Sequence, residues 1–118
     1  MSQIHVLYSA DVLDSLETWQ PESDLWEINV QTDIGPDMRG GDEFQFQLMS
    51  LAMFLSKLEV HGTLAPGRAV IMKRYSYGDL VATVERIIAK CESGSWERTA
   101  RRLDWYFGWE FSNYDGKQ

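Results

Sequence analysis

Cysteine is nearly absent: Cys91 stands alone in 118 residues, so no internal disulfide can staple the chain. Histidine is scarce too. His5 and His61 are the only two, and neither has a cysteine or a second histidine at metal-ligand spacing. No stretch approaches the roughly 18 apolar residues of a membrane span. The start, MSQIHVLYSADV, has no basic segment followed by a long apolar run, so no secretion signal is read. Together these absences favour a reducing cytoplasm. Base is scarce in the first half. Residues 1–59 hold eleven acids against Arg39 and Lys57, a charge of −9, while residues 60–118 carry +2, for a net −7. Such a surface repels phosphate backbones, which argues against nucleic acid as a ligand. It attracts and steers a basic protein. A solvated acidic surface that merely aids solubility is the competing explanation.

What the chain has is a pattern. Hydrophobic residues make up 44% of it, enough for one ordinary globular domain over residues 1–118. In WEINVQTDIGPDMRGGDEFQFQ, Trp26, Ile28, Val30, Thr32 and Ile34 alternate with Glu27, Asn29, Gln31 and Asp33. Beyond a Gly/Pro-rich turn, Phe44, Phe46 and Leu48 alternate with Glu43, Gln45 and Gln47. Period two means two half-buried strands, over 25–34 and 42–49, joined as a hairpin. Further strands are expected at 3–8, 69–75 and 109–114, and a loop with a helical turn before residue 24.

Helical spacing appears in three places. Ser50 caps a short helix with Leu51, Phe54, Leu55 and Leu58 on one face. Ser76-Tyr77-Gly78-Asp79 has the form of a capping box, and Tyr77, Leu80, Val81, Val84, Ile87, Ile88 and Cys91 then follow helical spacing. Ser95 caps the last helix, whose apolar face is Trp96, Ala100, Leu103 and Phe107. The expected fold is α+β: a two-layer sandwich, with a mostly antiparallel sheet of about four or five strands and helices packed on one face. That leaves the acid and amide face of the sheet wet unless a partner covers it.

No catalytic constellation emerges. Cys91 falls on an apolar helix face and reads as a buried, inert thiol. Asp33, Asp37, Asp42 and Glu43 crowd the hairpin turn, but their spacing is not that of a calcium loop. A solvated turn and a partner-binding turn are the readings that remain. Arg98, Arg101 and Arg102 form a basic ridge near Trp105, better read as a solvated face near a helix C-terminus than as a nucleic-acid site. Trp19 and Trp105 are the tryptophans whose environment the pattern leaves open. No catalytic residue, metal or cofactor is expected.

Four segments in order, DVLDSLETWQPE at 11–22, DIGPDMRGGDEFQFQL at 33–48, GSWERTARRL at 94–103 and WEFSNY at 109–114, resemble the immunity protein 8 family of bacterial polymorphic toxin systems. YSYGDL at 75–80 also fits. One departure is Ser50-Leu51, where the family pattern has Thr-Pro; the cap survives and a preorganising proline is lost. The resemblance implies a cytoplasmic, non-enzymatic antidote that binds the toxic domain of a secreted effector. Joined to the charge pattern, it points to Glu27, Gln31, Asp33, Asp37, Asp42, Glu43 and Gln45 as the surface for a basic toxin domain, such as a nuclease. The rival reading is an acidic adaptor or structural subunit.

Overall fold

A computed structural model describes residues 1–37 and 40–112. The hairpin dominates it: β2 (Glu27–Asp37) pairs antiparallel with β3 (Gly40–Ser50), and β1 (Gln3–Tyr8) pairs antiparallel with β2. The other edge of β3 is shared. Its C-terminal half takes β4 (Ala69–Met72) in parallel, and Phe44 and Gln45 take β5 (Gly108–Trp109) antiparallel. The helices are α1 (Leu51–His61), α2 (Tyr77–Cys91) and α3 (Trp96–Leu103). The result is the expected α+β fold with a mostly antiparallel, open sheet.

The two alternating runs do what their period dictates. Ile28 faces Leu48, Val30 faces Phe46 and Thr32 faces Phe44, all nearly or fully buried. From the same side, α2 contributes Leu80, Val84, Ile88 and Cys91, and α3 contributes Ala100 and Leu103. Phe107 closes the core with its ring 4.7 Å from that of Phe46. The Cys91 thiol is buried there, and desolvation pushes its pKa up, as expected of an inert side chain.

Each helix begins on its predicted serine. The hydroxyls of Ser50, Ser76 and Ser95 accept from the amides of Met53, Asp79 and Arg98. The first helix nonetheless departs from the sequence reading. Its face was expected to be Leu51, Phe54, Leu55 and Leu58, yet α1 has no buried residue, and Leu51 and Leu55 are exposed. Instead Lys57 reaches the polar sheet face, where its Nζ lies 2.7 Å from Glu27 Oε1. Helices α2 and α3 therefore cover the core face, while α1 serves the opposite one.

The hairpin end also differs from a simple turn. Both strands run past Ile34 and Asp42, with a register shift before Asp37 pairs with Gly40. Two glycines make this possible. A Cβ on Gly35 would lie 2.1 Å from Gly40 O, and one on Gly41 would lie 2.0 Å from Ile34 O. The backbones approach too closely for any side chain. The strand expected over 109–114 reduces to Gly108–Trp109, with Phe111 and Ser112 in a turn. Residues 113 and 114 of that expectation lie outside the described residues. Phe111, expected inward, is 37% exposed and sits edge-on to Trp109.

Residues 9–26 wrap one end of the core. Leu16 is buried, and Trp19 packs edge-on against both Trp26 and Tyr75. Tyr75 donates its phenolic hydrogen to Leu16 O. Desolvation, helped by Tyr77, pushes the Tyr75 pKa from 10.0 up to about 12. A raised folded-state pKa stabilises the fold fully below the unfolded value and loses that stabilisation as pH climbs through the folded one. Tyr75→Phe should thus cost about 0.5–1.5 kcal/mol at neutral pH for the lost hydrogen bond. In urea titrations from pH 9 to 12 its stability should fall less steeply than that of the wild type. Parallel pH profiles would show that the phenol is not the group being titrated.

Candidate protein-interaction face

The polar face of the sheet is built by register. Opposite the core, β2 presents Glu27, Asn29, Gln31 and Asp33; β3 places Gln47, Gln45 and Glu43 opposite the last three, and Met49 opposite Glu27. Half of this face is tied up in itself. Lys57 binds Glu27. Gln47 Nε2 donates to Glu27 Oε2 at 2.9 Å, and Asn29 Nδ2 donates to Gln47 Oε1 at 2.7 Å. Gln31 Nε2 donates to Asn29 Oδ1, and Gln31 Oε1 accepts from the Ala10 amide at 3.3 Å. The result is one hydrogen-bonded row from α1 to the loop after β1. The Lys57 ammonium holds the Glu27 carboxyl below its ordinary pKa, against the opposing effect of burial. Glu27 and Gln31, both expected on the binding surface, are thus braces within it.

The other half is open. Glu43 and Gln45 are exposed, and their side chains make no hydrogen bond among the described residues. Asp33, paired with Glu43, is half-buried, and its Oδ1 is shielded from water with no hydrogen-bond partner. Asp37 ends β2, half-buried, opposite Gly40. Two residues that the sequence reading missed join this half. Val6 and Tyr8 of β1 pair with Asp33 and Gln31, and are 49% and 45% exposed. The signal was available. IHVLY does not alternate, and the structure explains why: the register shifts between Ile4 and Val6, so both Ile4 and Leu7 face the core. His5 lies at this bulge, half-buried, with its Nε2 unpartnered; His61 is exposed in the last turn of α1.

Asp42 is not part of this face. It pairs with Ile34, so its side chain points toward the core side. There Oδ2 accepts from Trp109 Nε1 at 2.9 Å and from Trp96 Nε1 at 3.1 Å. One carboxylate joins β3, α3 and β5. Its geometry gives it a structural task.

Glu110 supports the open half from behind. Its Oε1 accepts from Glu43 N at 2.7 Å, and its own amide donates to Glu43 O. Among the described residues no group of histidine, cysteine and acidic side chains is arranged to hold a metal, and no helix is long and apolar enough to cross a membrane. What remains is an open, rigidly backed sheet face, with carboxylates and amides bordered by one aliphatic and one aromatic side chain. This composition suits the recognition of a protein.

No curated protein and no solved structure matches the chain. A family model does: that of immunity protein 8 matches residues 3–114, nearly the whole length, and the chain belongs to that family of immunity proteins.

Proposed function

We propose that this chain is a cytoplasmic antidote that binds the toxic domain of a secreted effector and neutralises it without catalysis. The observation that carries the reading is the family match over residues 3–114. The charge distribution supports a basic toxin partner, of the kind that attacks nucleic acids, because the −9 half of the chain contains the whole open face. Within that face Asp33, Asp37, Glu43 and Gln45 supply acceptors, and Tyr8 and Val6 supply the apolar contact that exposed polar groups alone lack. Tyrosine at the centre of an interface is a common energetic anchor. Glu27 and Gln31 hold the row in place.

Co-expression with the cognate toxin domain should restore growth, and the purified pair should elute as a one-to-one complex. Growth arrest that persists in the presence of folded, soluble protein would refute the antidote reading. Binding without rescue would indicate an adaptor.

A further inference from the structure

Two exposed features lie outside the polar sheet face, and they are opposite in character. The first is a tip. Residues 9–26 contain Asp11, Asp14, Glu17, Glu22 and Asp24 and no base, and Leu13 among them is fully exposed at 106%. The segment is held firmly. Leu16 is anchored in the core, Trp19 is packed between Trp26 and Tyr75, and Asp11 Oδ2 accepts from Asn29 N at 2.6 Å. Leu13 is therefore presented to water by a fixed frame.

The second feature is a hollow. Lys90, Cys91, Arg101, Arg102, Trp105 and Tyr106 line a groove of about 370 Å³. Trp105 is 83% exposed, and the Lys90 ammonium stands 5.6 Å from the centre of the Tyr106 ring. The groove combines two aromatic side chains with three basic ones, in a protein whose net charge is −7. Arg101 meets Glu97 at 3.2 Å, but both are exposed, and such a pair is weak enough to exchange.

We propose that the groove is the docking site for the residue 9–26 tip of a second copy of this chain. Leu13 seats against Trp105 and Tyr106, while Asp14 and Glu17 meet Arg101, Arg102 and Lys90. Each feature supplies what the other lacks: an apolar knob with an acidic collar, and an apolar hollow with a basic collar. Exposed tryptophan and arginine are the residue types that most often anchor an interface. Tip and groove stand at opposite ends of α2. Tyr75, just before it, belongs to the Trp19–Trp26 cluster, and Lys90 and Cys91 at its end line the groove. The 15 residues between span about 22 Å. The contact joins unlike surfaces, so two copies either satisfy both reciprocally about a two-fold axis or associate head to tail into chains or a ring.

Sedimentation of the full chain at low salt, over a range of concentrations, tests this independently of any toxin. The average mass should rise with concentration and return to that of the monomer at high salt, where exposed charges are screened. Leu13→Asp and Trp105→Asp should each be monomeric. Their equimolar mixture should form a two-chain species and stop there, because it retains one working tip and one working groove. A second pair reads the same contact by charge. Asp14→Lys with Glu17→Lys, and Arg101→Glu with Arg102→Glu, should each abolish association alone and restore it when mixed. A wild type that is monomeric at every concentration, or mixtures no different from their components, would overturn the proposal. So would a monomeric wild type that binds labelled oligouridylate through Trp105.

Discussion

Replacing Asp42 with alanine should lower the unfolding free energy by about 2–4 kcal/mol, or roughly 10 °C in melting temperature. Hydrogen bonds to a charged group are worth about 1.5–3 kcal/mol each. Here one carboxylate oxygen serves two indoles, so the two contributions overlap and do not simply add. The loss would reach further than one contact, because Trp96 and Trp109 also flank the buried Phe44, at ring distances of 6.3 and 6.4 Å. Asp42→Asn keeps a carbonyl acceptor and should cost about half as much. Neighbouring Glu43 is exposed, and its replacement by alanine should change stability by no more than about 0.5 kcal/mol. Denaturant titration of the three variants decides the matter. An Asp42→Ala protein as stable as Glu43→Ala would mean that the double indole contact contributes nothing.

The second large effect concerns association with the toxin. Glu43→Lys combined with Gln45→Lys should slow association, most clearly at low salt, and weaken the complex. A close charge pair across an interface is worth about 1.5–7 kcal/mol in favourable cases. The melting temperature should stay near that of the wild type, since both side chains are exposed. Tyr8→Ala should weaken the complex mainly through faster dissociation, because an apolar contact contributes little to steering. Asp42 must stay intact in such a set, as its loss would disturb the fold and imitate a binding defect. Reversal of Arg98, Arg101 and Arg102 to Glu is the control, measured at a concentration where the chain is monomeric. If that reversal abolishes toxin binding and the Glu43 and Gln45 reversal does not, the toxin lies on the other side of the molecule.

Much of the fold was legible because single residues announced it. The period-two runs on either side of Gly35–Gly41 placed β2 and β3 and their faces, and three serines marked three helix starts. The rest depended on events that a linear pattern does not encode. The apolar spacing of α1 resembles that of a core helix, but none of its residues is buried, and its Lys57 pairs with Glu27 on the polar face. Asp42 belongs to the outward-facing set by chemistry and to the inward-facing set by parity. Counting alternate residues from Phe44 would have placed it correctly. The bulge in β1 was visible as a broken alternation, though not which of its side chains would surface. The candidate face was thus only partly readable. The acids stood out by type, while Val6 and Tyr8 emerge only once β1 is laid against β2.

The shared edge of β3 bears on how the protein is made. Phe44 and Gln45 wait for Trp109 and Gly108, which stand more than sixty positions later in the chain. At a synthesis rate of about 5–20 residues per second, roughly 3–13 s separate the synthesis of Phe44 from that of Trp109. Asp42, two positions before Phe44, waits 54 positions for the Trp96 indole and 67 for that of Trp109. A nascent chain short of residue 109 therefore carries the polar face but not the clamp that fixes the far side of its strand. The sheet is complete only when Gly108 and Trp109 reach Gln45 and Phe44.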